Sequence, residues 1–257
     1  MKKLLQSGNI VSVLFAIAAN AFVSTSENLP DIRFISDQYS TLLNPATYAF
    51  AIWTIIYMGI FIFVLYQARD FFSSDKNNIL PWQLSGWFML ANIMNGIWTY
   101  VFVSGYLLFS VIIILTLLAS LLLLLWRLRI AIYDAFLSTI LLVWWPLMLY
   151  TGWVLVASVA NTASYLTSVG ILLSPFVAAA IILALAVVLS ILLWQRNVRM
   201  LVLASTWGIA AIAVAQYGST PEVWMTASAV TILLILQVII HGYKNRTTNP
   251  FYKLLYK

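Results

Sequence analysis

Apolar residues in this chain gather into eight long runs, roughly 8–24, 45–68, 82–104, 106–126, 137–165, 173–195, 198–217 and 222–243. Polar breaks separate them. A run of about 20 apolar residues is the length at which a helix crosses the hydrocarbon layer of a bilayer, so each run predicts a transmembrane helix. Glycine and proline mark three of the turns, in "SGY" at 104–106, "SVGILLSP" at 168–175 and "YGSTPE" at 217–222. Only the connections 25–44 and 69–81 are long. The fifth run exceeds what a bilayer needs, which predicts a tilt, a kink at Pro146 or a start in the interface. The expected fold is all-α: a polytopic helical membrane protein with eight transmembrane helices.

Composition agrees. Hydrophobic residues make up 63% of the 257 and charged residues 8%, where a soluble domain carries about 25% charged. Cysteine is absent, which excludes a disulfide framework and thiolate chemistry. The net charge of +6 does not imply nucleic acid, because the basic residues stand singly or in pairs at the ends of apolar runs. With the amino terminus cytoplasmic, Lys2, Lys3, Arg69, Lys76, Arg127, Arg129, Arg196, Arg199, Lys244, Arg246, Lys253 and Lys257 fall on the cytoplasmic side. That leaves Arg33 alone of the 13 basic residues on the other side, beside Glu27, Asp31, Asp37 and Glu222. So one-sided a count supports an even number of spans with both termini cytoplasmic. A bacterial inner (plasma) membrane fits best, with a thylakoid or organelle envelope as the alternative. The first 27 residues have the outline of a secretory signal, but further spans follow directly, so they are read as a retained first helix. The cationic tail 244–257, "KNRTTNPFYKLLYK", is expected to lie along the headgroups.

No Asp, Glu, Lys or Arg falls at the centre of a run. A charge there costs about 2.5–3.5 kcal/mol on insertion scales, and pumps and ion-coupled carriers keep one for function. The single histidine, His241, sits at the end of the last run and is expected to be solvated or to cap its helix. Metal and acid–base catalysis therefore have few candidates, and an enzyme is not expected. Rings and amides concentrate instead in runs two, three and five. In the fifth, Tyr150, Trp153, Ala157 and Asn161 stand at i, i+3, i+7 and i+11, within about 80° on an ideal helix. Asn95, Trp98 and Phe102 line up in the third, and Trp53 with Tyr57 in the second. Rings with a few fixed polar groups suit a planar apolar ligand. Plain helix packing accounts for the same spacing, with Gly152 and Ala157 letting helices approach. Trp82, Trp126, Trp194 and Trp224 are assigned to the interfacial belt.

The residues also resemble a family. "PATYAFAIWTIIYMG" is similar to the second-helix signature of the TspO/translocator-protein (tryptophan-rich sensory protein) family, with Pro45, Trp53, Thr54 and Tyr57 in register. "NGIWTYVF" resembles its third-helix element at Asn95, Trp98 and Phe102, and "YTGWVLVASVAN" its fifth-helix element at Tyr150, Trp153, Ala157 and Asn161. The likeness covers roughly residues 8–166. Departures occur at Phe50-Ala51 in place of a proline pair, at Thr47 in place of a tryptophan, at Thr99-Tyr100 in place of Ser-Pro, and at Pro146, one turn early.

The resemblance implies a TspO-like five-helix bundle over 1–166, a three-helix extension over 167–243 and the tail. It also implies a cavity for porphyrins, haem-like tetrapyrroles or sterols, with a sensory, regulatory or transport role. The expected ligand-binding residues are Trp53, Tyr57, Asn95, Trp98, Tyr150, Trp153, Ala157 and Asn161. Residues 25–44 would form a lid carrying Arg33, Phe34 and Tyr39. No cofactor is obligatory; a bound porphyrin or haem is what the resemblance allows. The expected partners are the lipid bilayer and a small tetrapyrrole or sterol-like ligand, with a homodimer left open. Light-dependent porphyrin breakdown is a third-ranked role. The competing reading is a membrane scaffold or small-solute transporter whose aromatic stripes only pack helices.

Overall fold

A computed structural model describes residues 1–71, 80–84 and 86–246, with the side chain of Asp70 left out. Most of the cationic tail expected along the headgroups, 247–257, lies outside the described residues, as does Lys76. Eight long helices follow one another: α1 (Lys2–Thr25), α2 (Ile52–Gln67), α3 (Trp87–Val103), α4 (Leu107–Arg127), α5 (Trp145–Ser168), α6 (Pro175–Arg196), α7 (Arg199–Gln216) and α8 (Pro221–Lys244). Among the described residues there is no strand. A short helix, Ile32–Gln38, precedes α2, and a 3₁₀ segment, Thr47–Ala51, leads into it.

Seven of the eight, α2 counted together with its 3₁₀ lead-in as Thr47–Gln67, are long and apolar enough to cross a membrane; α3, with 17 residues and no such extension, falls short of them. Its length of about 26 Å lies at the lower limit for a spanning helix. The outer faces are apolar, as with Ile55, Met58, Ile62 and Leu65 on α2 and Leu108, Ile112 and Leu115 on α4, all exposed. Such a surface suits lipid, where polar groups are satisfied inside the protein.

The first five helices close a ring in the order α1, α3, α4, α5, α2 and back to α1. Gly96 lets α3 approach α1, since a Cβ there would lie 2.5 Å from a ring carbon of Phe15. At one end α1 and α2 are clamped by amides: Gln6 Nε2 donates to the Gln67 carbonyl (3.0 Å) and Asn9 Nδ2 to Gln67 Oε1 (3.2 Å). Near Pro146, where a kink is one expectation, the chain forms a π turn, Ile140–Trp144, that ends two residues before the proline. Proline has no N–H to give the preceding turn, and a widened turn absorbs the break.

α5 is the shared wall of the molecule. One face, with Tyr150, Trp153, Ala157 and Asn161, turns into the ring. The opposite face, with Gly152 and Val156, packs on α7. A Cβ on Gly152 would collide with the Leu201 carbonyl, and one on Gly208 would lie 2.8 Å from Val156 Cγ1. Ser205 Oγ donates to the Gly152 carbonyl at 2.8 Å across this contact. α8 packs on α7, and α6 on α8. The last three helices thus extend the ring along α5.

Lys3 lies over the Phe71 ring at 5.9 Å, Tyr66 Oη donates to Ser138 Oγ at 3.4 Å, and Lys244 lies over Trp194 at 5.3 Å. The flanking basic residues therefore share one end of the bundle, here termed the basic end. His241 is buried there, against Trp194 at 5.2 Å and with Asn245 Nδ2 3.2 Å from its Nε2. Of the two expectations for His241, solvated or capping its helix, the first does not hold, because Trp194 of α6 folds over it; it does stand in the last turn of α8, where its carbonyl accepts the Asn245 N–H.

Candidate functional site

The rings of α2, α3 and α5 meet inside the five-helix ring. Trp53 is the hub. It stacks on Tyr57 (5.4 Å between centroids, 21° between planes), leans on Trp98 (6.3 Å), and meets Tyr150 (6.0 Å) and Trp153 (6.3 Å) edge to face. Phe50 adds an edge to Trp153 at 6.0 Å, and Phe102 stacks on Trp98 at 5.2 Å. Trp53, Trp98, Tyr150 and Trp153 are buried; Tyr57 and Ala157 are half-buried. Such offset and edge-to-face pairs each contribute about 0.5–1.5 kcal/mol beyond area burial.

Two polar seams run through this cluster. In the first, Trp98 Nε1–H donates to Asn161 Oδ1 (2.7 Å), Asn161 Nδ2 donates to Ser110 Oγ (2.8 Å), and Ser110 Oγ donates to the Leu107 carbonyl (2.7 Å). Three helices are tied by a chain that ends on backbone. In the second, Tyr57 Oη donates to Asn95 Oδ1 at 2.8 Å. Two buried donors at the centre have no partner, Trp53 Nε1 and Trp153 Nε1. An unmet buried donor costs about 1–3 kcal/mol.

Between the rings and the segment above them lies a cavity of about 30 Å³, bounded by Phe50, Trp53, Trp98, Trp153, Ala157 and Asn161 below and Ile32, Ser36 and Asn44 above. That is room for about one water molecule. The upper wall is latched by Asn44. Its Nδ2 donates to the Ser36 carbonyl (2.7 Å) and faces Ser36 Oγ (3.2 Å), while its Oδ1 accepts from Thr41 Oγ1 (2.8 Å) and Ser164 Oγ (3.4 Å). Ile32, Ile35 and Ser36 face inward, and Tyr39 is half-buried against the core. Arg33 and Phe34 point outward; Arg33 Nε lies 3.8 Å from Asp31 Oδ2 at the surface.

α7 holds the same segment from the side. Trp207 Nε1–H donates to the Ala49 carbonyl (3.1 Å), Ala46 N–H to the Ala211 carbonyl (3.0 Å), and Gln216 Nε2 to the Thr41 carbonyl (3.4 Å). Tyr48 meets Trp207 edge to face at 5.4 Å.

The structure thus brings together all eight ring and amide positions singled out from spacing and resemblance. Trp87 and Tyr100 face outward. Sequence reading missed Ser110, Asn44, Ser36 and Ser164. Asn44 had a signal, standing just before the Pro45 of the second-helix motif; Ser110, one hydroxyl in a Leu/Ile run, had none.

A family model described as "TSPO-like protein" matches residues 5–240. The chain belongs to the TSPO-like family. The match takes in all eight helices, where the motifs carried the likeness only to about residue 166. No match is found among curated proteins or among solved structures. With seven apolar helices of spanning length, this TSPO-like chain is an integral membrane protein.

Proposed function

We propose that this TSPO-like protein binds a planar apolar ligand of the tetrapyrrole or sterol-like class among Trp53, Tyr57, Asn95, Trp98, Tyr150, Trp153, Ala157 and Asn161, in a sensory or transport role. All eight helices, α3 included, are taken to span the membrane with the basic end cytoplasmic. The observation that carries this reading is the pair of unpartnered donors at the ring cluster, Trp53 Nε1 and Trp153 Nε1. Buried polar groups without partners are rare in native structures. A flat ligand with acceptor atoms would stack on the indoles and accept from these groups.

The small volume of this cavity, about 30 Å³, favours the second reading, in which the rings only pack helices, because ligand pockets run to about 300–1,000 Å³. Under the binding reading the segment 32–46 must lift and the rings must part. Titration of the purified protein with protoporphyrin IX, followed by tryptophan quenching, separates the two. Saturable quenching, weakened at least tenfold in Trp53→Ala and Trp153→Ala, is expected. Quenching that never saturates, or variants that bind like the parent, would leave the packing reading standing.

A further inference from the structure

Residues 39–46, between the short helix Ile32–Gln38 and the 3₁₀ segment, form no helix. Backbone groups there must find partners outside regular structure, and at a bilayer the protein itself has to supply them. Within the stretch 41–49, α7 supplies three. The Thr41 carbonyl accepts from Gln216 Nε2 (3.4 Å), Ala46 N–H donates to the Ala211 carbonyl (3.0 Å), and the Ala49 carbonyl accepts from Trp207 Nε1–H (3.1 Å).

α7 can hold this stretch because it is itself seated on α5. Leu201, Ser205 and Gly208 meet α5 where Gly152 and Val156 stand. Trp207 and Ala211, at i and i+4, share the face that meets residues 46–49. The helix therefore links the wall that carries Trp153 and Asn161 to the chain that roofs them.

Two stiff links carry these anchors up to the roof. Pro45 fixes its own φ and restricts Asn44 before it, so Ala46 on α7 and Asn44 over the cavity move together. Thr41 is the second link. Its carbonyl accepts from Gln216, its hydroxyl donates to Asn44 Oδ1, and Asn44 Nδ2 donates to the Ser36 carbonyl. A chain of hydrogen bonds thus runs from the end of α7 to the short helix above the rings. Segment 32–46 cannot lift until the α7 bonds at Thr41 and Ala46 give way.

We propose that α7 clamps this roof, and that through it the three-helix extension controls access to the aromatic site. The control of access rests on the binding reading above; the clamp does not, and two measurements keep them apart.

The first is hydrogen exchange of the full-length protein in detergent without ligand, read by mass spectrometry. Trp207→Phe keeps a ring against Tyr48 and removes only the indole N–H; Gln216→Leu removes the amide at the end of α7. Each should speed exchange in peptides covering 40–50 at least threefold, and the double variant at least tenfold, with α3 and α4 unchanged. Either single variant decides the matter if the other fails to fold. Exchange equal to the parent's, or rising equally in α3 and α4, would overturn the clamp. The second is stopped-flow tryptophan quenching with protoporphyrin IX, in which association and release should both quicken at least threefold. Faster exchange with unchanged rates would overturn the control of access and leave the clamp standing. A parent without saturable quenching would overturn the binding reading and the access role together, and the clamp would then be judged by exchange alone.

Discussion

The indole N–H of Trp98 reaches Asn161 Oδ1 at 2.7 Å across 63 positions of sequence, and the same amide passes a hydrogen bond on to Ser110 at 2.8 Å. One side chain thereby joins α3, α4 and α5. Inside a bilayer the apolar surfaces of helices gain little from one another over lipid, so packing and such bonds decide which helices associate.

Asn161→Ala should therefore destabilise the bundle by about 1–3 kcal/mol, because it leaves the Trp98 donor buried and unmet. Thermal unfolding in detergent, followed by circular dichroism, reads this as a lowered midpoint. An unchanged midpoint would mean that water replaces the amide.

Tyr57→Phe removes the hydroxyl that donates to the buried Asn95 Oδ1. A loss of about 1–3 kcal/mol is expected. In the double variant Tyr57→Phe, Asn95→Leu no polar atom of the pair remains, and stability should return most of the way to the parent. Additive losses in this cycle would refute the coupling.

Gly152→Ala tests the seam between the ring and the extension. The added methyl meets the Leu201 carbonyl, and overpacking of this kind typically costs about 1–3 kcal/mol. The α7 contacts to Ala46, Ala49 and Thr41 depend on the same seam, so under the proposed binding reading the affinity for protoporphyrin IX should fall along with the unfolding midpoint. Faster proteolysis in the 169–174 connection would report the loosened seam directly.

The ring cluster was legible before any coordinates because helical spacing is rigid: residues at i, i+3, i+7 and i+11 must share a face, so Tyr150, Trp153, Ala157 and Asn161 had to point one way. Which way was not legible from spacing alone. The face of α5 opposite to it, with Gly152, carries no ring to announce it, yet it docks a whole helix. His241 misled for a related reason: it stands at the end of a run, but the ring that buries it, Trp194, is 47 positions away. The π turn before Pro146 follows from proline chemistry, whereas the size of the hollow is set by rotamers that no periodicity records. Arg33 and Phe34 fell on the outer face of the short helix because Ile32 and Ile35, at i and i+3, took the inner one.

Asn44 is the latch of the candidate site, and its removal makes the sharpest kinetic prediction. Four contacts meet on its amide, two to Ser36 and one each to Thr41 and Ser164. If a ligand enters by lifting the segment 32–46, the closed state must first give up these bonds. Asn44→Ala removes them in advance and should raise the closed state by about 1–3 kcal/mol relative to the open one. Association then quickens roughly five- to hundredfold, since each 1.4 kcal/mol is a factor of ten. Stopped-flow quenching with protoporphyrin IX measures that rate. A rate equal to the parent's, in a variant that still binds, would place the route elsewhere, between helices from the lipid side, and the segment over the rings would be a fixed roof.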